Sequence, residues 1–153
     1  DLIIRPRDEE DGALPSPGSF LIGSLFKLNR ITGDDKYLHA AETGLRNLSG
    51  KIAKYPGMMT SALFALDYWT SDAIEIVVVG EGPARDQILS EIWQRYLPNK
   101  IVAASSSGQS ELSPLFKGRT AAVGEVKVFV CRNSVCRLPV TSVEELKKQL
   151  DAL

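Results

Sequence analysis

Scarcity bounds this sequence before any motif does. Its 153 residues include two cysteines, Cys131 and Cys136, and one histidine, His39. Two thiolates and one distant imidazole leave a zinc site of the usual Cys/His type one ligand short, so no metal and no cofactor is expected. Long hydrophobic runs are also missing. The longest nearly uncharged apolar stretch, residues 15–26, is too short to span a bilayer and has no signal-type charged region before it. Neither sign of charge dominates, since 18 Lys and Arg face 19 Asp and Glu. The basic residues are scattered singly or in pairs, which excludes the electrostatic footprint of a nucleic-acid or anionic-membrane partner. A soluble, cytoplasmic protein is the expectation.

What is present fits ordinary globular structure: 44% hydrophobic and 24% charged residues, in a length that suits one domain or two small ones. Residues 1–12 begin without Met, and the charged run 5–11 reads as a solvated loop, so a fragment of a longer chain is expected. Ser16 and Pro17 then mark a helix start, because Ser caps exposed amides and Pro lacks an N–H that would need a partner. This first helix should end near Gly33. Phe20, Leu21, Ser24, Leu25 and Leu28 form one stripe, yet Ile22 and Phe26 make the other side apolar too, which predicts a helix enclosed by neighbours. Asp34 caps a second, amphipathic helix with Tyr37, Ala41, Leu45, Leu48 and Ile52 inward and His39 off that stripe, solvated. After Tyr55-Pro56-Gly57 comes a third, burying Met59, Ala62, Leu63, Leu66 and Trp69.

At residues 73–80, AIEIVVVG, the pattern changes. An almost unbroken Ile/Val run predicts a strand buried on both faces, as in a sheet covered by helices. Pro83 starts a helix to about residue 97, with Ile88, Leu89, Ile92, Trp93 and Tyr96 facing the sheet. KIVAA at 100–104 completes a βαβ unit. The polar tract 105–110 is a loop, residues 111–116 a helical turn, and EVKVFVC at 125–131 a third strand with Val126, Val128 and Val130 on one face. CRNSVC reads as a loop, and Thr141 with Glu144 as a capping box opening a final helix that buries Val143, Leu146 and Leu150.

Three places invite chemistry. Gly80-Glu81-Gly82 sits where a strand meets a helix, but lacks the third glycine and the acidic partner of a dinucleotide fold, so it reads as a tight turn. Cys131 and Cys136 bracket a four-residue loop. They read first as reduced structural thiols; the alternative is a reversible, redox-active disulfide whose thiolates Arg132 and Arg137 favour. Asp11 and Ser16 lie at a helix N-terminus, where polar groups bind a hydroxylated or anionic ligand; the plainer reading is a loop with an N-cap.

The segments DGALPSPGS, LNRITGDDKYLHAA, ALDYW with IEIVVVGEG, RYLPNKIV and VFVCRNSVCRLPVTSVEEL together resemble the C-terminal end of the thioredoxin-domain-containing YyaL family, which is similar to the spermatogenesis-associated thioredoxin-like proteins of animals. The resemblance implies a thioredoxin-like domain and most of a six-hairpin-type α/α barrel upstream of this chain, as its missing partners. Residues 1–72 are then the last hairpins of the barrel and residues 73–153 a small α/β subdomain. The implied fold class is α plus α/β, terminal barrel helices followed by a parallel or mixed three-stranded sheet with helices. Cys131, Asn133 and Cys136 match the family's C-x-N-x-x-C pattern. Pro17 and Gly18 depart from its DGA-x-PSGNS pattern, removing an amide that would contact a ligand. The leading functional expectation is a non-catalytic segment closing the barrel. The alternatives are a redox module using Cys131 and Cys136, and part of a carbohydrate-processing enzyme whose sugar ligand meets Asp11 and Ser16.

Overall fold

The computed structural model describes residues 8–106, 113–132 and 135–153. Among them are five α-helices and one four-stranded mixed sheet, an α+β architecture, and the chain divides into two units, Asp1–Ser71 and Asp72–Leu153. The expected loops at 5–11 and 105–110 and the turn at 111–116 lie partly outside the described residues, and Asn133 lies wholly outside them. No described helix is long and apolar enough to cross a membrane.

The first unit contains α1 (Pro17–Thr32), α2 (Asp35–Lys54), a single 3-10 turn (Pro56–Met58) and α3 (Thr60–Thr70). Capping residues set its boundaries. Ser16 Oγ accepts the Ser19 N–H at 3.4 Å, Gly33 closes α1 in the left-handed region at φ 71°, and Asp34 accepts the Lys36 N–H at 3.0 Å to open α2. Small residues let the helices approach: Gly23 faces Ala65, and a Cβ on Gly44 would stand 2.9 Å from Ile22.

Two expectations about helix faces are corrected here. α1 buries Ser19, Ile22 and Phe26, while Phe20, Leu21 and Leu28 of the expected stripe are exposed. Periodicity could not choose between two apolar sides; α2 and α3 cover only one of them. In α3 the buried set is Ala62, Ala65 and Tyr68, with Met59 buried just before the helix. Leu63 and Leu66 are half-buried, and Trp69 is exposed at the rim with its ring stacked on Phe26 at a centroid distance of 6.0 Å. Small Ala65 lies inward because α1 comes too close for a larger residue.

The second unit is built on β1 (Ile74–Val79), which pairs in parallel with β2 (Lys100–Ser105) and antiparallel with β3 (Lys127–Arg132). β4 (Val135–Cys136) pairs antiparallel with β3, giving the order β2-β1-β3-β4. Ile76, Val77, Val78 and Val79 are fully buried, as a strand enclosed on both faces requires. Ile76, Val78, Val128 and Val130 pack with Ile88 and Ile92 of α4 (Pro83–Gln94) and with Leu146 and Leu150 of α5 (Val143–Asp151). Alternation then turns Val77, Phe129 and Cys131 to the opposite face. Gly80, at φ 124°, ends β1 against the segment entering β3; a Cβ there would stand 2.4 Å from the Glu125 carbonyl oxygen. The glycine answers a close backbone approach, not a ligand.

Three details differ from the sequence reading. The sheet has a fourth strand, because the end of CRNSVC pairs back on β3. Trp93 and Tyr96 are 61% and 90% exposed. α4 stops at Gln94, Arg95 is extended, and the Lys100 ammonium donates to the Ile92 and Arg95 carbonyls there, with the Trp93 ring 5.2 Å away. The last helix is capped one residue later than expected: Ser142 Oγ accepts the Glu145 N–H at 3.3 Å and Glu145 Oε2 accepts the Thr141 N–H at 3.2 Å.

Candidate functional site

Asp11 joins two helix starts. Its Oδ1 accepts the Ser16 N–H at 2.7 Å and its Oδ2 the Ser61 N–H at 2.6 Å, fifty residues away in the chain. Ser16 precedes α1 and Ser61 lies in the first turn of α3, so one carboxylate meets the positive ends of both helices. These amide bonds, Ser16 first and Ser61 next, hold the Asp11 pKa below the usual aspartate value. Asp11 N–H donates to the Met58 carbonyl at 2.8 Å, which fixes the loop. Ser16, 2% exposed, donates its hydroxyl to the Asp8 carbonyl at 3.0 Å. An open cleft of about 720 Å³ lies along residues 8–17 and Lys51, whose ammonium pairs with Glu9 at 2.6 Å. The two ligand candidates thus stand together, with their oxygens bonded to the chain's own backbone. His39 is exposed on α2.

The other candidates meet across a hairpin. β3 and β4 pair Cys131 directly with Cys136, their Cα atoms 3.9 Å apart, and the sulfurs are joined in a disulfide. The reading as two reduced thiols therefore gives way to a bonded pair. Cys131 is 1% exposed, whereas Cys136 is exposed. Neither flanking arginine lies where the sequence reading put it. Arg137 donates to the Gln149 and Ala152 carbonyls, both at 2.8 Å, neutralising the negative end of α5. Arg132 pairs with Asp72 at 3.7 Å and donates to the Leu153 carbonyl.

The cation at the sulfurs is Arg119. Its Nη2 donates to Cys131 Sγ at 3.1 Å and to Cys136 Sγ at 3.2 Å, while Nη1 donates to the Leu115 carbonyl. Local structure presents it there. Ser113 Oγ accepts the Leu115 N–H at 3.3 Å to open a 3-10 turn, Pro114–Phe116, and the Arg119 N–H closes back on the Phe116 carbonyl at 3.0 Å. Leu115 and Phe116 are buried and anchor the hook. Sequence reasoning missed Arg119, which sits twelve residues before Cys131 in no recognisable spacing.

No family model and no solved structure matches the chain. Among curated proteins it is similar to spermatogenesis-associated protein 20 of Rattus norvegicus, 27% identical over 156 residues that cover 98% of this chain and 20% of the relative. The Homo sapiens protein of the same name is 26% identical over 155 residues, covering 97% of this chain and 20% of the relative. An uncharacterized protein of Caenorhabditis elegans is 27% identical over 154 residues, with coverages of 97% and 21%. The chain spans about one fifth of the length of the curated relatives it matches.

Proposed function

We propose that this chain, which is homologous to spermatogenesis-associated protein 20 and matches a C-terminal part of that family, closes a helical barrel supplied by the remainder of a longer protein and performs no catalysis of its own. The observation that carries this reading is the open side of α1. Phe20 and Leu21 are 67% and 57% exposed and Leu28 follows two turns on, although Ile22 and Phe26 of the same helix are buried. A helix apolar around most of its circumference is a buried helix of a larger assembly, and α2 and α3 cover half of it. The occupant is upstream helical sequence of the same protein, in keeping with relatives about five times as long as this chain. The carbohydrate alternative has less behind it: each Asp11 carboxylate oxygen accepts an amide proton of the chain, a capping role that needs no ligand.

The test is the double substitution Phe20→Glu with Leu28→Glu, made in this chain alone and in the longer protein. Thermal unfolding of the chain alone should move little, and that of the longer protein should drop by several degrees, because charges are then forced into a covered interface. Equal shifts in both contexts would sink the proposal.

A further inference from the structure

We infer that Cys131, Cys136 and Arg119 form a thiol–disulfide exchange site that takes electrons from a dithiol at the exposed sulfur of Cys136. The two sulfurs differ in access, since Cys131 is 1% exposed and Cys136 is exposed. An incoming thiolate therefore reaches Cys136. Its sulfur bonds to Cys136 Sγ, the Cys131–Cys136 bond breaks, and the electron pair leaves on Cys131 as a thiolate. The second thiol of the dithiol then attacks its partner sulfur and releases Cys136. The dithiol has become a disulfide, losing two electrons and two protons; the cysteine pair has gained the electrons, and the protons pass to the cysteine sulfurs and to solvent.

Arg119 is a positioning residue for this step. One guanidinium nitrogen donates to both sulfurs at 3.1 and 3.2 Å. Disulfide sulfur is a weak acceptor, whereas a thiolate carries a full charge, so the same contact strengthens when the bond opens. A cation beside a thiolate lowers the thiol pKa and favours the reduced pair. The second arm of Arg119, held by the Leu115 carbonyl, keeps the guanidinium in place through the reaction. The hairpin does not depend on the disulfide alone: the Arg137 backbone N–H donates to the Val130 carbonyl at 2.9 Å, whatever side chain stands there. The reduced cysteines therefore stay opposite each other and can close again.

The experiment equilibrates the full chain in mixtures of reduced and oxidised dithiothreitol, quenches with acid, and counts thiols by the mass added by a maleimide. Both cysteines of the folded chain should titrate together as a two-electron couple. Arg119→Gln should shift the equilibrium toward the disulfide by about tenfold, which is about 30 mV. Arg119→Lys should recover part of that shift, and Arg137→Gln should leave the equilibrium within about twofold of the parent. With Cys131→Ser, Cys136 should capture a small-molecule disulfide rapidly; with Cys136→Ser, the buried Cys131 should not. Reduction that occurs only at denaturant concentrations unfolding the chain would overturn the site. Equal shifts from Arg119→Gln and Arg137→Gln would overturn the role of Arg119. Neither outcome touches the barrel-closing proposal, which rests on α1.

Discussion

In the α/β unit Ile76, Val77, Val78, Val79, Ile88 and Ile92 are at most 1% exposed, whereas the helical unit buries Ser19, Ala41, Met59 and Ala62 to that degree and leaves Phe20, Leu21 and Phe64 between 57% and 69% exposed. The sheet unit fills the centre around β1 with β-branched groups and leaves Trp93 and Tyr96 outside; the helical unit sets small residues among its buried large ones and turns one apolar side of α1 outward. The cause lies in how each element satisfies its backbone. A strand needs neighbours for its N–H and C=O groups, and the sheet so formed is covered on its Ile76 and Val78 face by α4 and α5 of the same unit. A helix satisfies itself, so three of them can be bound by caps and close contacts while one apolar side stays open. The central strand of the sheet unit is therefore enclosed within that unit, and the central apolar helix of the helical unit has one side left for a partner.

The strongest way to break this comparison is to empty the sheet unit's core. Ile92, on α4, has no exposed surface and packs with residues of α5 and the sheet. Ile92→Ala should destabilise the chain by about 2–5 kcal/mol, from lost burial and an unfilled cavity. Urea denaturation followed by far-UV circular dichroism measures this. A loss under about 1 kcal/mol would show that the core is loose and the contrast false.

In the helical unit the informative residue is a cap shared by two helices. Asp11→Ala removes the acceptor for amides at two helix starts, a loss of about 1–2 kcal/mol. The pH dependence has a definite sign. The folded pKa of Asp11 lies below the usual aspartate value, so its carboxylate stabilises the fold above the unfolded pKa, and that contribution disappears as pH falls through the folded pKa. The difference in Tm between parent and variant should be full at pH 7 and shrink below about pH 4. A difference that is constant from pH 7 to pH 2 would mean that Asp11 acts by shape rather than charge.

Local chemistry made much of this legible. Ser16, Gly33, Asp34 and Pro83 mark element ends through bonds to their immediate neighbours, and the Ile/Val run of β1 announces its own burial. What was illegible depends on distant contacts. Which side of α1 packs is decided by Gly44 and Ala65 on other helices. Asp11 looked like a ligand group because its second amide partner, Ser61, lies fifty residues on. β4 is two residues long, too short for alternation to show. Arg119 reaches the sulfurs through a 3-10 hook, so the nearer Arg132 and Arg137 drew the attention instead.

The smallest expected effect is the one that sharpens the comparison most. Phe20→Ala removes an entire ring from the same helix that buries Ile22, yet the ring is 67% exposed. In the chain alone its loss should change stability by no more than about 0.5 kcal/mol, as for other surface positions, despite being the larger deletion. Sedimentation velocity should at the same time show less self-association, because the apolar surface available to a second copy is reduced. If Phe20→Ala instead costs more than about 1 kcal/mol, then the ring is packed within this chain and α1, like β1, has no open side. A null effect on stability joined to a loss of association would mean that the residue's contacts are made outside the chain, as a helix awaiting its neighbours requires.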